Sequence, residues 1–278
     1  MERSFKTECI TLRNSGHTLT EIVAITGRPK TTVFFHIQGI PLSVSRQSAR
    51  WQAAGERIRE FALARKGKSV RGFREIKEWT PDSVLLVGHL LFDGEITRTH
   101  CAYNNRSKAL IERVRILMKN ELYDYPPTEY ENKETGVMRI SYNNVAFGAY
   151  IQEISQILVA SISNLSLEHK RTFLRAFFDD EGCMDYKPTR NKRRVRGYQK
   201  NTTILDLVQS LLIDFGIKSR VVLPNEVVIT GKLELIKFQK EINFSPGVRI
   251  NGNRSNSIWK EHLEKRDLLE RAIQSFKT

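Results

Sequence analysis

One nine-residue pattern constrains the fold of this chain more than any other feature, because it occurs twice. Apolar residues at helical spacing lead to Asp93 and Gly94 in the stretch LVGHLLFDG, and to Glu181 and Gly182 in the stretch LRAFFDDEG. Glycine commonly follows the last turn of a helix, so each stretch predicts a helix that ends at an acid followed by glycine. The two acids lie 88 residues apart, which indicates an internal duplication.

The acids at the end of the second stretch are electrostatically unfavourable. Asp179, Asp180 and Glu181 follow one another at a predicted helix C-terminus. This end of a helix carries partial negative charge, so each carboxylate there costs roughly 0.3–1 kcal/mol. The cluster therefore needs a compensating cation, a basic partner or full solvation.

The residues after the two stretches repeat the same predicted order of elements. Residues 106–117 align with 200–211 at an offset of 94, and apolar positions such as Leu110 and Ile204 coincide. Each half reads as helix, two strands, helix, two strands, helix; one predicted strand of the first half spans about Leu122–Tyr130. This αββαββα order is typical of an α+β fold whose sheet buries one face beneath helices and leaves the other for a ligand.

Both stretches resemble the LAGLIDADG motif of homing endonucleases, in the single-chain form that carries two motifs. The resemblance covers about residues 80–262. It implies a pseudo-twofold duplicated LAGLIDADG endonuclease fold in which the two motif helices pack side by side. Carried over to this sequence, the small residues that allow this close packing are Gly88 and Ala176.

The resemblance also implies the chemistry of a site. In the family, the last acid of each motif holds the divalent metal ions that cleave DNA, which here implies Asp93 and Glu181 as metal ligands and catalytic residues, with Mg²⁺ as the cofactor. It implies catalytic roles for Arg106 and Lys200, the basic residues just before the next helix of each half. Metal ions held by carboxylates can neutralise phosphoryl oxygens and activate water, which phosphodiester hydrolysis requires.

Residues 1–41 predict a small all-α unit that precedes the repeats. Helices are expected at Phe5–Asn14 and Leu19–Thr26, with a third that reaches about Ile37. The segment TLTEIVAITGRPKTTVFFHI resembles the helix-turn-helix of small DNA-binding domains. The third helix would present four residues to a DNA groove, namely Arg28, Lys30, Thr31 and Thr32. An ordinary three-helix packing unit fits the same pattern.

Charge indicates a polyanionic partner. The chain has a formal net charge of +14 and a pI near 9.8, and residues 1–80 hold 15 Lys and Arg against 7 Asp and Glu. Residues 42–79 are expected to form a basic helical linker with an amphipathic helix over Ala49–Arg65. Two repeats then follow, at 80–165 and at 166–278, and the second ends in a helix from about Ile258.

A second basic feature is the predicted hairpin after the second motif. A basic two-stranded ribbon can enter the major groove of duplex DNA. The hairpin residues expected to bind DNA are Arg190, Lys192, Arg193, Arg194 and Arg196.

Cysteine usage and hydropathy exclude several classes of protein. The three cysteines are far apart and form no CxxC pair, so a disulfide framework or zinc ribbon is not expected. No uninterrupted apolar run approaches 18 residues and no signal-peptide pattern begins the chain, so we expect a cytoplasmic protein that does not bind membranes.

Together these features predict a site-specific endonuclease that hydrolyses double-stranded DNA with a divalent metal. We expect a monomer with internal pseudo-twofold symmetry. Two other functions fit the same sequence: a non-cleaving DNA-binding transcriptional regulator on this fold, and an RNA-splicing maturase. His89, inside the first motif helix, is expected to be a packed or interfacial residue rather than a metal ligand.

Overall fold

The computed structural model describes residues 4–42, 46, 56, 72–252 and 258–276. The chain divides into two compact units, Met1–Ser69 and Val70–Thr278. The amphipathic helix expected over Ala49–Arg65 lies outside the described residues, apart from Glu56.

Residues 4–42 of the first unit form helices at the expected positions, α1 (Phe5–Asn14), α2 (Leu19–Thr26) and α3 (Lys30–Ile37). Thr18 and Glu21 form a capping box at the start of α2, which satisfies two backbone N–H groups that the helix cannot pair itself. Among the described residues of this unit, the hydrophobic core consists of Cys9, Ile22, Val33 and Ile37.

The second unit begins with one complete αββαββα repeat. Its elements are α4 (Pro81–Phe92), β1 (Gly94–Ile96), β2 (Cys101–Asn105), α5 (Lys108–Leu117), β3 (Thr128–Asn132), β4 (Val137–Tyr142) and α6 (Val145–Ser161). Thr80 caps α4, and Pro81 occupies the first turn, where a missing N–H costs nothing.

A second repeat follows in the same order. Its elements are α7 (Leu167–Asp180), β5 (Gly182–Lys187), β6 (Lys192–Tyr198), α8 (Thr202–Ile213), β7 (Arg220–Val222), β8 (Glu226–Thr230), α9 (Lys232–Glu241) and a further C-terminal helix, α10 (Lys265–Gln274).

The two sheets have the same topology. Each is four-stranded and antiparallel, with strand orders β1-β2-β4-β3 and β5-β6-β8-β7. Gly94 pairs with Tyr103 in the first hairpin and Gly182 pairs with Gly197 in the second. The α+β fold and its internal duplication are therefore confirmed.

The motif helices α4 and α7 pack against each other within one continuous core. Their contact includes Gly88, because a Cβ atom built there would lie 2.8 Å from the Cβ of Ala176. Real Cβ atoms do not approach so closely, so the helix pair requires a residue without a side chain at position 88.

Gly88→Ala is expected to lower the free energy of unfolding by about 1–3 kcal/mol, because the added methyl overpacks this contact. The double variant Gly88→Ala/Ala176→Gly moves the methyl to the other helix and should recover most of the loss. Urea denaturation of the single and double variants measures this. A double variant no more stable than Gly88→Ala would contradict the contact.

One strand of the first repeat differs from the sequence expectation. Instead of a strand over Leu122–Tyr130, Met118–Leu122 continue α5 as a turn of π-helix and β3 begins only at Thr128. Pro126 and Pro127 lack the N–H that a strand ladder needs, so regular pairing starts after them.

The C-terminal helix also begins later than expected, at Lys265 rather than near Ile258. The backbone before it pairs with residues 248–250: Ile250 N–H donates to the carbonyl of Leu263, and Lys265 N–H to that of Val248. This pairing commits the residues just before Lys265 to an extended conformation.

Residues 72–79, expected to be part of the linker, pack against the core of the second unit. Phe73 contacts Phe147 with ring centroids 5.3 Å apart, and the N–H of Ile76 donates to Tyr150 Oη at 2.6 Å. Their apolar side chains, not their charges, decide where they lie.

One helical segment, Val145–Asn164, is long and apolar enough to cross a membrane by length and composition. It includes α6, whose buried residues Phe147, Ile151 and Leu158 belong to the protein core. This arrangement is typical of a core helix that covers a sheet.

Candidate metal and nucleic-acid site

Asp93 and Glu181 occupy equivalent backbone positions at the ends of the two motif helices. The N–H of Asp93 donates to the carbonyl of His89, and that of Glu181 to the carbonyl of Phe177. The carbonyl of Asp93 accepts from the N–H of Asn104, and the carbonyl of Glu181 accepts from the N–H of Tyr198, at 3.1 Å in each case. Asn104 and Tyr198 each follow the residue that pairs with the motif glycine. Both acids are thus fixed between a helix end and the start of a strand.

The carboxyl groups of Asp93 and Glu181 both have raised pKa values. Burial and the neighbouring Asp180 carboxylate raise the pKa of Asp93 to about 7. Burial, Asp93 and Asp180 raise the pKa of Glu181 to about 7. One acid comes from each repeat, so the packing of the motif helices brings two carboxyl groups that are far apart in sequence close enough for the charge of Asp93 to affect the pKa of Glu181.

Asp180, which precedes Glu181, points into the contact between the repeats. Its carboxylate accepts hydrogen bonds from His89 Nδ1 at 2.8 Å and from Tyr103 Oη at 2.6 Å. The side chains of His89 and Asp180 are fully buried. Burial opposes the charged imidazole, but the Asp180 carboxylate outweighs it and raises the pKa of His89. His89 is therefore interfacial, as expected.

Asp93 has a further partner. The side-chain Nδ2 of Asn105 donates to Asp93 Oδ2 at 2.6 Å and lies 3.2 Å from Tyr103 Oη. The other end of this amide, Oδ1, accepts from the N–H of Ser107 at 2.8 Å. The cap of α5 therefore fixes which way the amide points.

Lys265 supplies the cation that the acidic helix end requires. Its Nζ donates to the carbonyl of Asp179 at 2.7 Å, and its side chain is buried at the start of α10. The Asp179 carboxylate accepts from the N–H of Ser245 at 2.8 Å and lies 3.5 Å from Arg113. Burial lowers the pKa of Lys265 and raises that of Asp179.

Arg106 and Lys200 lie in equivalent exposed loops, directly before the N-cap residues of α5 and α8. Each follows the side-chain amide of its repeat, Asn105 or Gln199. They remain candidates for contact with a phosphate by position alone.

The basic hairpin has two faces that differ in character. Arg194 and Arg196 point away from the helices, since their neighbour Val195 is buried. Arg194 Nε lies 2.8 Å from Asp185 Oδ2, and Arg196 pairs with Glu226. These cross-strand pairs hold the guanidinium groups in place on the open face of the sheet.

Arg193, by contrast, is on the helix-covered side, because side chains alternate along a strand. Its guanidinium donates to Ser275 Oγ at 2.7 Å and stacks 4.8 Å from the ring centroid of Phe276. The structure does not bring it to the open face. Arg190 and Lys192 are exposed at the hairpin turn.

In the first unit, the four residues expected to meet DNA are exposed at the start of α3. They are Arg28, Lys30, Thr31 and Thr32. The Arg28 guanidinium also lies 5.6 Å from the ring centroid of Phe5.

Sequence reasoning missed Lys265, Asp180, Tyr103 and Asn105 as parts of the site. Only the first had a signal in the sequence, because three acids at a helix C-terminus require a cation. The others depend on contacts between residues up to 91 positions apart.

Residues 168–243 match the family model described as a LAGLIDADG-like domain. This match covers α7 to α9, and the first repeat has the same topology. Residues 168–243 therefore form a LAGLIDADG-like domain. No curated protein matches it in sequence.

Solved structures with a similar fold include two groups of LAGLIDADG proteins. Full-length DUF199/WhiA from Thermatoga maritima is 16% identical with a TM-score of 0.49, over 73% of this chain and 64% of that one. The homing endonuclease I-DmoI in complex with DNA and Ca is 17% identical with a TM-score of 0.44, over 60% and 91%. The chain thus spans about two thirds of the length of the WhiA chain.

Proposed function

We propose that this protein is a site-specific endonuclease that hydrolyses double-stranded DNA with a divalent metal ion, Mg²⁺. The observation that carries the proposal is the pair formed by Asp93 and Glu181. Each ends one motif helix, and the charge of Asp93 contributes to the raised pKa of Glu181. Two carboxyl groups so placed repel each other when ionised, and a bound cation would relieve that repulsion.

The donor atoms at the site fit a hard cation. Carboxylate oxygens from Asp93 and Glu181 suit Mg²⁺, which typically binds one or two protein carboxylates and completes its octahedron with water and phosphate oxygens. No group of three or more metal-binding side chains occurs among the described residues. Water molecules, and phosphate oxygens when DNA is bound, would therefore complete the coordination of the metal. A metal bound there would stabilise charge on the phosphoryl group and promote ionisation of a water molecule.

The rest of the chain would position the substrate. In hydrolysis, water adds to phosphorus and the P–O bond breaks, leaving a phosphate on one end and a hydroxyl on the other. Arg194 and Arg196 on the open sheet face would contact the duplex, and Arg106 and Lys200 would lie near the strand being cut. The first unit would add contacts through α3.

A non-cleaving DNA-binding regulator is the second candidate, and one observation favours it. The buried ammonium of Lys265 partly offsets the rise in the pKa values of both Asp93 and Glu181. An ammonium group beside the acids reduces the need for a metal ion. Either function would be that of a cytoplasmic protein, and the pseudo-twofold repeats allow a monomer to contact both halves of a site.

The deciding experiment incubates the full chain with a library of DNA duplexes and Mg²⁺, and sequences cut ends and bound fragments separately. An endonuclease should yield cut ends at one short sequence, lost on addition of EDTA. Bound fragments without cut ends would establish the regulator instead. Preferential binding of RNA in a parallel arm would contradict both and indicate the maturase.

A further inference from the structure

The contact between the repeats is not symmetric. At the offset of 88 residues, His89 of the first repeat is equivalent to Phe177 of the second, and Phe92 is equivalent to Asp180. Tyr103 and Gly197 are likewise equivalent, because each pairs with the motif glycine of its hairpin. The polar residues His89, Asp180 and Tyr103 thus all lie on one side of the pseudo-twofold axis.

Aromatic rings fill the equivalent space on the other side. The rings of Phe92 and Phe177 have centroids 5.2 Å apart, and Phe92 also contacts Phe173 at 5.3 Å. A Cβ atom built on Gly197 would lie 2.3 Å from the Phe177 ring. No hydroxyl or imidazole of the described residues therefore takes the place that Tyr103 and His89 have on the first side.

The polar side extends to Asp93. Tyr103 Oη donates to Asp180 and lies within hydrogen-bond distance of Asn105 Nδ2, which donates to Asp93 Oδ2. This bond uses one carboxylate oxygen of Asp93. Within the described part of the chain, no side chain hydrogen-bonds to the other oxygen, Oδ1, which leaves it for a ligand.

Glu181 has no matching support. Gln199 takes the place of Asn105, and its Oε1 accepts from the N–H of Asn201 as Asn105 Oδ1 does from Ser107. No hydrogen bond joins Gln199 to the Glu181 carboxylate. No other side chain of residues 72–252 and 258–276 donates a hydrogen bond to this carboxylate either. A side-chain hydrogen bond therefore fixes the carboxylate of Asp93 but not that of Glu181.

We propose that Asp180 is a positioning residue. His89 holds Asp180, and Asp180 acts through Tyr103 and Asn105 to fix the carboxylate of Asp93. The two halves of the site are therefore inequivalent. A divalent cation then binds more tightly on the Asp93 side, and the DNA strand served by that side is cut faster. This proposal rests on the proposed endonuclease function. Groups that orient a metal ligand typically change metal affinity 10- to 100-fold when removed.

The test uses Tyr103→Phe, which keeps the ring but removes the bridging hydroxyl. Tyr123→Phe is a matched control, because Tyr123 is buried in the same repeat and its hydroxyl has no hydrogen-bond partner among the described residues. Asn105→Leu removes the amide that contacts Asp93, together with its longer contact to Asp180 at 3.5 Å, and leaves the bonds that His89 and Tyr103 make to Asp180. Thermal melts of the variants establish that each is folded.

The first measurement is Mn²⁺ binding to the metal-free full chain, followed by electron paramagnetic resonance. We expect two unequal sites in the wild type. Tyr103→Phe and Asn105→Leu should each weaken the tighter one by about tenfold, while Tyr123→Phe binds as the wild type. Equal affinities in Tyr103→Phe and Tyr123→Phe, or an absence of Mn²⁺ binding, would overturn the inference.

The second measurement is the rate of cutting of each strand of a target duplex with separate labels on its two strands. Tyr103→Phe should change the ratio of the two rates by about tenfold, since only one half loses its positioning. Equal slowing of both strands would indicate a merely structural role and overturn the inference. A wild type that shows the expected Mn²⁺ result but no cutting would contradict the proposed endonuclease alone.

Discussion

Asp93→Asn and Glu181→Gln are each expected to reduce metal-dependent DNA cleavage about a thousandfold or more, while leaving duplex affinity nearly unchanged. Each variant keeps the size of the side chain but removes a negative charge that would hold the metal. Loss of several kcal/mol of transition-state stabilisation corresponds to this effect on rate. Binding should survive because, in the proposed function, it depends on the basic groups of the sheet and the first unit.

The same variants are expected to be more stable than the wild type at pH 8 without metal. Both acids have pKa values of about 7 in the folded protein, against ordinary values of 3.8 and 4.5. Between about pH 4 and pH 7 the unfolded chain binds fewer protons, so the free energy of unfolding falls as the pH rises. Amides do not ionise and avoid this loss, worth roughly 1–2 kcal/mol per group after solvent screening.

Single-turnover cleavage and filter binding measure the first effect, and urea denaturation in EDTA at pH 4 and pH 8 measures the second. Asp206→Asn is the control, because Asp206 is an exposed acid on α8. A gain in stability on loss of activity is typical of an active site. Cleavage at the wild-type rate in either variant would exclude that acid as a metal ligand.

The repeat order was predictable because it depends on local signals. Helical spacing of apolar residues, a capping Thr80 and the glycines after each motif mark the element boundaries within a few neighbouring residues. The end of α7 illustrates this: the change from apolar residues to acids followed by Gly182 coincides with its C-terminus.

The surroundings of the site were less predictable, because they depend on tertiary contacts. The helix dipole predicts that a cation is needed at the end of α7. It does not predict that this cation is Lys265, which lies 84 residues beyond Glu181 in the sequence. Arg193 and Arg194 are adjacent in sequence yet lie on opposite faces of the sheet, and only the register of β6 with its neighbours decides which face is open.

Lys265→Met is expected to lower the free energy of unfolding by about 3 kcal/mol at pH 8. Methionine keeps the length of the side chain, but it leaves the carbonyl of Asp179 without its donor and the neighbouring acids without a buried cation. The cation–π contact with Phe244, at 5.5 Å from the ring centroid, is also lost.

The effect of Lys265→Met should depend on pH. The charge of Lys265 lowers the pKa values of Asp93 and Glu181, which are about 7 in the wild type, so its removal raises both further. At pH 5 these acids are mostly protonated and repel little, so the loss of stability should be smaller there than at pH 8. Guanidinium denaturation at the two pH values measures the difference.

Lys240→Met is the control, because the Lys240 side chain is 81% exposed and its ion pair contributes little. A loss no larger than that of Lys240→Met would contradict a stabilising role for the buried ammonium. An equal loss at both pH values would show that Lys265 only caps the helix, because neutralisation of the acids must weaken as they take up protons.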